Sequence, residues 1–470
     1  MLRTVCISLL LCLVNMSTAF AEPRVYQAHR ADQFLDSLGE DTVPQDDRAR
    51  HIFARALGYD AAVFGRVAIL TYRQMYDQAI DSRSPSYVGF NTFSHDRDLA
   101  QPGYAPFRSP NADTLYSNAY LDLSDGPVLL TVPATNGRYY TVNFLDLFAN
   151  ATNISARTHG MGGGKYLIAT TEWGGEVPEG VTLFRVTQPY MWILMRIEAQ
   201  RESELADARR LQDRFVLAAT ADEAHRAKVY PPPAELDDPR SFLQVLDWIV
   251  DNAGIRETEV ALMHRFRNIG VGGPRRIDEV LEDAVMAQGL AEGLADANTV
   301  IDSSITQTGV DHGGWRDVTD IGRFGYNYLY RALLNTLGTG GNVRLENYAF
   351  TAFSDEDGDI FDGSEHDYVL HLPSVPPSDF FWSVTVYDFH TRELVPNKEK
   401  KYVVGGGSPG LRINDDGSVT LMFSRQGRGP NVLPVPDGPF YLGLRAQGPT
   451  RAMLNQEWRP TSVQKSKRLH

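Results

Sequence analysis

The 470-residue chain is short of cysteine: it has two, Cys6 and Cys12, both among its first dozen residues. Beyond them, disulfides, thiolate nucleophiles and cysteine-ligated metals are excluded, and stability must come from burial, which a chain of this size can supply. No stretch reaches the roughly 18 consecutive apolar residues that read as a membrane span. Basic charge is also in deficit, with Lys+Arg 45 against Asp+Glu 59 and a formal net charge of −14. That balance argues against a general nucleic-acid binder, whose affinity comes from basic side chains releasing phosphate counterions. There is no H-E-x-x-H motif and no histidine pair at helical i,i+4 spacing, so zinc is not expected. His366 and His371 stand five apart on a predicted strand and point to opposite faces.

What is present begins with a basic Arg3, the apolar run VCISLLLCLV and the small-x-small sequence Ala19-Phe20-Ala21. This predicts a secretory signal over 1–21, cut between Ala21 and Glu22, and a periplasmic or secreted mature chain free of cysteine. Three segments follow. Over 22–200, apolar residues at mixed three and four spacing predict helices to about residue 80, ahead of a first β module. There TLYSNAYLDL sets Leu115, Ala119, Leu121 and Leu123 on one face and Thr114, Tyr116, Asn118, Tyr120 and Asp122 on the other. Asn136-Gly137 is a two-residue hairpin signal. Over 201–340 the pattern returns to amphipathic helices, a connecting region. Over 341–470 alternating strands return, closed by a basic tail, SVQKSKRLH, expected to be disordered. The fold class is therefore α+β, mainly β: two antiparallel β-sandwich or jelly-roll-like modules joined by helices.

Two stretches carry a resemblance. FRSPNADTLYSNAYLDL with GPVLLTVPATNGRYYTVNFLDLF resembles the N-terminal module of two-domain exported bacterial proteins. FFWSVTVYD, LRINDDGS and LPVPDGPFYLGLR resemble their C-terminal module. These are the domain-of-unknown-function families 1254 and 1214. GYNYLYRA (Gly325 to Ala332) and FDGSEHDYVLHL extend the match in order along the chain. The resemblance implies two β-rich modules with jelly-roll character around helices, and little about activity. It also implies a histidine ahead of the Pro-Asn-x-Asp-Thr-Leu-Tyr segment, here His95. One departure is Asn431-Val432-Leu433-Pro434, where related chains carry tryptophan in place of the valine.

The polar cluster RSPNADT at Arg108–Thr114 has two readings: turn chemistry through Asx and Ser/Thr side chains, or the lip of a site. For the second, His95 is the candidate base or acid, Asp113 its orienting carboxylate and Arg138 an anion clamp. Asn111, Thr114, Tyr116, Asn118, Tyr140 and Trp192 are candidate ligand contacts. Asp355, Asp357 and Asp359 open like a calcium loop. Ile360 stands where that loop needs glycine and His366 where it needs glutamate, so at most a looser calcium site is expected, and no other cofactor. Gly406-Gly407-Ser408-Pro409-Gly410 spells a nucleophile elbow but lacks a following helix, and GMGGGKY departs from a phosphate loop at His159 and Tyr166. Three functions stay open: binding a polar small molecule or glycan, hydrolytic or acid–base catalysis around His95, Asp113 and Arg138, or a structural envelope role. The oligomeric state is not legible.

Overall fold

The computed structural model describes residues 28–29, 43–220 and 228–466. The predicted signal segment and the last four residues lie outside them. The first module is built on a five-stranded sheet of β1 (Ser94–His95), β2 (Thr114–Asp122), β3 (Tyr140–Asp146), β4 (Ala151–Ser155) and β5 (Tyr190–Glu198), in the order β1-β2-β5-β3-β4. The second is built on a six-stranded sheet of β6 (Val310–His312), β7 (Trp315–Asp317), β8 (Asn347–Ala352), β9 (Ser378–Asp388), β10 (Val403–Gly405) and β11 (Phe440–Pro449), in the order β6-β7-β8-β11-β9-β10. Each large sheet packs on a four-stranded one. The first is covered by Val128–Val132, Gly164–Thr170, Thr182–Val186 and Val216–Ala219, the second by Asp367–Leu372, Val419–Phe423, Val432–Leu433 and Gln464–Ser466. Every strand pair within the large sheets is antiparallel; each outer sheet contains one parallel pair.

A helical layer lies on the free face of both large sheets. It comprises α1 (Asp47–Met75), α3 (Pro239–Ala253), α4 (Ala284–Ser304) and α5 (Tyr328–Leu337), whereas α2 (Leu205–Gln212) packs Ala208 and Leu211 into the core of the first sandwich. Asp46, Asp238, Asp283 and Asn327 accept backbone N–H bonds at the starts of α1, α3, α4 and α5, the role short polar side chains play at helix N-termini. Helices α1 and α4 touch backbone to backbone. A Cβ added at Gly293 would meet the Arg55 carbonyl oxygen at 2.2 Å, so only glycine permits that approach. The N-terminal helix therefore joins the layer formed by the connecting region. Arg331 of α5 is fully buried, donates to the Phe64 carbonyl at 2.6 Å and lies over the rings of Phe64, Phe148 and Tyr328.

This layering explains a strand whose nine residues are all buried although they alternate in character. Leu115, Ala119 and Leu121 enter the sandwich core, while Tyr116 and Tyr120 enter the core under α1. Both faces are covered, so the second can be aromatic and polar without being wet. The Asn136-Gly137 turn forms, with φ of 52° and 90°, but the strands it joins lie in different sheets of the sandwich. The basic tail departs from expectation as well. Gln464–Ser466 pairs with Asp367–Val369 as an ordered edge strand.

Candidate functional site

The polar cluster at Arg108–Thr114 is where the two modules meet. Arg108 pairs with Glu393 at 2.7 Å. Ser109 has a left-handed backbone with φ 54°, which costs a non-glycine residue about 1 kcal/mol or more and persists only when its surroundings fix it. They do. Its N–H donates to the Arg392 carbonyl at 2.9 Å, and its carbonyl accepts from Arg445 Nη2 at 3.0 Å. Its hydroxyl donates to the Leu337 carbonyl at 2.9 Å and lies 2.6 Å from the Tyr441 hydroxyl. The Tyr387 hydroxyl donates to the Pro110 carbonyl at 2.7 Å. Turn chemistry and site chemistry thus coincide: the turn is the wall of a cavity.

That cavity has a volume of about 110 Å³ and is lined from both modules and from α5. Two arginines on central strands face it. Arg196 of β5 stands opposite Tyr116 of β2 and lies 5.3 Å above its ring. Arg445 of β11 reaches along its strand to Tyr387 of β9, 5.4 Å above the ring, and donates to its hydroxyl at 2.7 Å. Gly443 clears the path, since a Cβ there would meet Arg445 Nη1 at 3.1 Å and Tyr387 Cε2 at 3.2 Å. Burial pushes the Tyr387 phenol up to about 12. Burial works to lower the Arg445 pKa, but the phenols of Tyr387 and Tyr116 and the Asp113 carboxylate outweigh it. Arg196 donates through Nη2 to the Gly340 carbonyl at 2.7 Å, and its Nη1 has no hydrogen-bond partner among the described residues. Both polar atoms of the Asn342 amide also lack one. Among the described residues three arginines, Arg108, Arg196 and Arg445, line the cavity and no carboxylate does, so its field favours an anion and opposes a metal cation.

The proposed catalytic set does not converge. His95 pairs in register with Ser117 and bonds its hydroxyl at 2.8 Å. Cross-strand partners share a face, so His95 lies on the side of the sheet away from Tyr116. Burial lowers its pKa, and Arg97 adds to this. Asp113 sits by the seam, 3% exposed, with neither carboxylate oxygen in hydrogen-bond geometry to a described residue. Burial raises its pKa, while Ser383 and Arg445 pull it down from nearby. Arg138 donates to the Glu198 carbonyl at 2.5 Å in a separate groove that Glu204 and Arg214 also line.

The expected ligand contacts divide too. Asn111 and Tyr116 line the cavity, the Asn111 N–H donating to the Tyr116 hydroxyl at 2.7 Å. Thr114 is fully buried, and its hydroxyl has no partner among the described residues. Trp192 donates to Asn118 at 3.1 Å and stacks beside Tyr120 under the helical layer. Tyr140 enters the sandwich core and donates to the Gly160 carbonyl at 3.0 Å. Asp355, Asp357 and Asp359 can bring carboxylate oxygens within 4.8 Å of one another, but the Lys465 ammonium already stands among them at 3.2, 3.1 and 2.6 Å. The loop holds its own cation, so calcium fits only if the lysine leaves. Ser408 sits in the turn after β10 and bonds the Gly405 N–H at 2.9 Å, away from any helix N-terminus.

The sequence reading missed Arg196, Arg445 and Asn342. The signal was present for the arginines. Each is the sole cationic residue of a largely apolar strand, MWILMRIEA and PFYLGLRAQ, and a charge in a strand covered on both faces needs a partner.

The architecture has a counterpart among solved structures. The VPA0106 protein of Vibrio parahaemolyticus superposes with a TM-score of 0.66 at 23% identity, over 88% of this chain and 100% of its own. An uncharacterised protein of Burkholderia cenocepacia aligns over 93% of this chain and 92% of its own at 13% identity and a TM-score of 0.43. The first likeness shows a shared fold and no more. No curated protein matches the chain. Residues 90–219 match the model described as protein of unknown function DUF1254 and residues 346–451 that described as protein of unknown function DUF1214; the chain belongs to the proteins that carry these two domains in this order.

Proposed function

We propose that the protein binds a small polar molecule in the cavity closed by its two β modules and α5. The observation that carries this reading is the lining. A seam that served stability alone would be apolar, because each buried polar group without a partner costs about 1–3 kcal/mol. This one keeps an arginine and an asparagine incompletely bonded at the cavity wall. Volume favours a small molecule over a glycan. A cavity of roughly 150 Å³ accommodates benzene, so about 110 Å³ suits a ligand smaller than a sugar ring. The lining also favours binding over acid–base catalysis. Among the described residues it contains no His, Asp, Glu, Lys or Cys, and its acid–base candidates are tyrosine phenols, whose ordinary pKa of about 10 lies well above neutrality.

Ala349 of β8 stands opposite Arg445 and lines the cavity. Ala349→Leu should fill much of the space and keep the fold. Melting curves of wild type and variant would be compared across small acids, amides, alcohols and amino acids. A ligand at a hundred times its Kd should add about 2.7 kcal/mol to the wild type. Stabilisation lost in Ala349→Leu supports the reading; ligands that stabilise both proteins equally refute it.

A further inference from the structure

We infer that the ligand is a short-chain carboxylate and that Arg196 receives its carboxylate group. This rests on the cavity being a ligand site. The three arginines of the lining are not equivalent. Arg108 is committed to Glu393 at 2.7 Å. Arg445 is committed to the Tyr387 hydroxyl and the Ser109 carbonyl, with the Asp113 carboxylate in its field. Arg196 is 7% exposed, forms no ion pair among the described residues and leaves Nη1 without a partner.

A buried guanidinium without a counter-ion is among the costlier arrangements in a protein interior, and an incoming anion removes that cost. The planar fork of arginine matches a carboxylate in shape as well as charge. The Asn342 amide, 4% exposed and unbonded, offers a neutral donor on the same cavity wall system. The remaining wall is apolar: Phe107, Ile321, Phe324 and Leu334. Bare phosphate or sulfate would leave those side chains uncovered. A carboxylate with a short hydrocarbon tail satisfies both ends.

The test is calorimetric titration of the full chain with butyrate, butyramide and inorganic phosphate. Wild type should bind butyrate at least about tenfold tighter than butyramide, and phosphate should not compete. Arg196→Met should lose roughly 10- to 100-fold in butyrate affinity, the worth of a charge-assisted pair. Arg196→Lys should fall between, and Arg210→Met, on the exposed face of α2, should match wild type. Should Arg196→Met fail to fold, the wild-type acid-to-amide ratio and Arg196→Lys decide. Equal binding of acid and amide overturns the inference while leaving a small-molecule site, and phosphate as the preferred probe overturns the carboxylate. If none of the three binds but neutral molecules from the melting panel do, this inference fails alone; if neither set binds, both readings fail.

Discussion

Glu346, one residue before β8, is fully buried and ties the second module to the first. Its Oε1 accepts from the Tyr139 hydroxyl at 2.8 Å, and its Oε2 accepts from the Ser155 hydroxyl and from Arg157 Nε, each at 2.9 Å. Removing one member of a buried ion pair typically costs about 3–5 kcal/mol. Here fallback partners soften the loss. Tyr139 can turn to Gln447 Oε1, 3.3 Å away, Ser155 has the Thr158 hydroxyl at 3.1 Å, and Arg157 is 30% exposed and can recruit water. Glu346→Ala should therefore cost roughly 2–4 kcal/mol. Glu346→Gln keeps the shape but turns one acceptor into a donor facing other donors, for a loss of roughly 1–2 kcal/mol. Urea unfolding followed by tryptophan fluorescence and far-UV circular dichroism would measure both. In wild type the two probes should coincide; in Glu346→Ala they should separate as the modules uncouple. A loss below about 1 kcal/mol with coincident probes would refute the pinning role of this carboxylate.

Three other outcomes are expected. Burial pushes the Asp247 carboxyl of α3 up to about 6 from 3.8, so the native state holds a proton the unfolded chain releases, and stability falls as pH rises through that interval. Asp247→Asn keeps an acceptor for the Gly272 N–H and should gain roughly 1–3 kcal/mol at pH 7 and little at pH 4, read from urea midpoints. His95 has the opposite sign: its lowered pKa means that stability is complete above about pH 6.5 and is lost on acidification toward the folded pKa. His95→Gln should flatten that slope and leave ligand binding at the cavity intact; a binding loss would restore His95 to the site. Gly443→Val should cost about 1–3 kcal/mol in thermal unfolding by crowding Arg445 and Tyr387, and a neutral result would contradict the packing of that strand.

Much of this molecule was legible because its signals are local. Period two over Thr114–Asp122 placed Tyr116 and Asn118 on the face opposite Leu115 and Ala119, and the sheet keeps them there. The Asn136-Gly137 turn was legible for the same reason. Its consequence was not, because which strand pairs with which is decided by contacts far apart in sequence. His95 illustrates the same limit. Two residues of pairing with Ser117 and Asn118 fix its face, and no local pattern announces that register. The Asp355–Asp359 loop looked like a calcium site because Lys465, its resident cation, comes from a strand more than a hundred residues later. Arg196 and Arg445 went unread since a lone arginine in an apolar strand looks like an edge residue until both faces are known to be covered.

The close contact between α1 and α4 bears on how the chain becomes a protein. The two helices flank the entire first β module in sequence, yet Gly293 lets them lie against one another with no side chain between. During synthesis the side of α1 that meets α4 therefore stays open until residue 304 has left the ribosome. Long-range closure of this kind slows folding and leaves a sticky intermediate, so a nascent chain stalled before α4 should be the species that aggregates or recruits a holding chaperone.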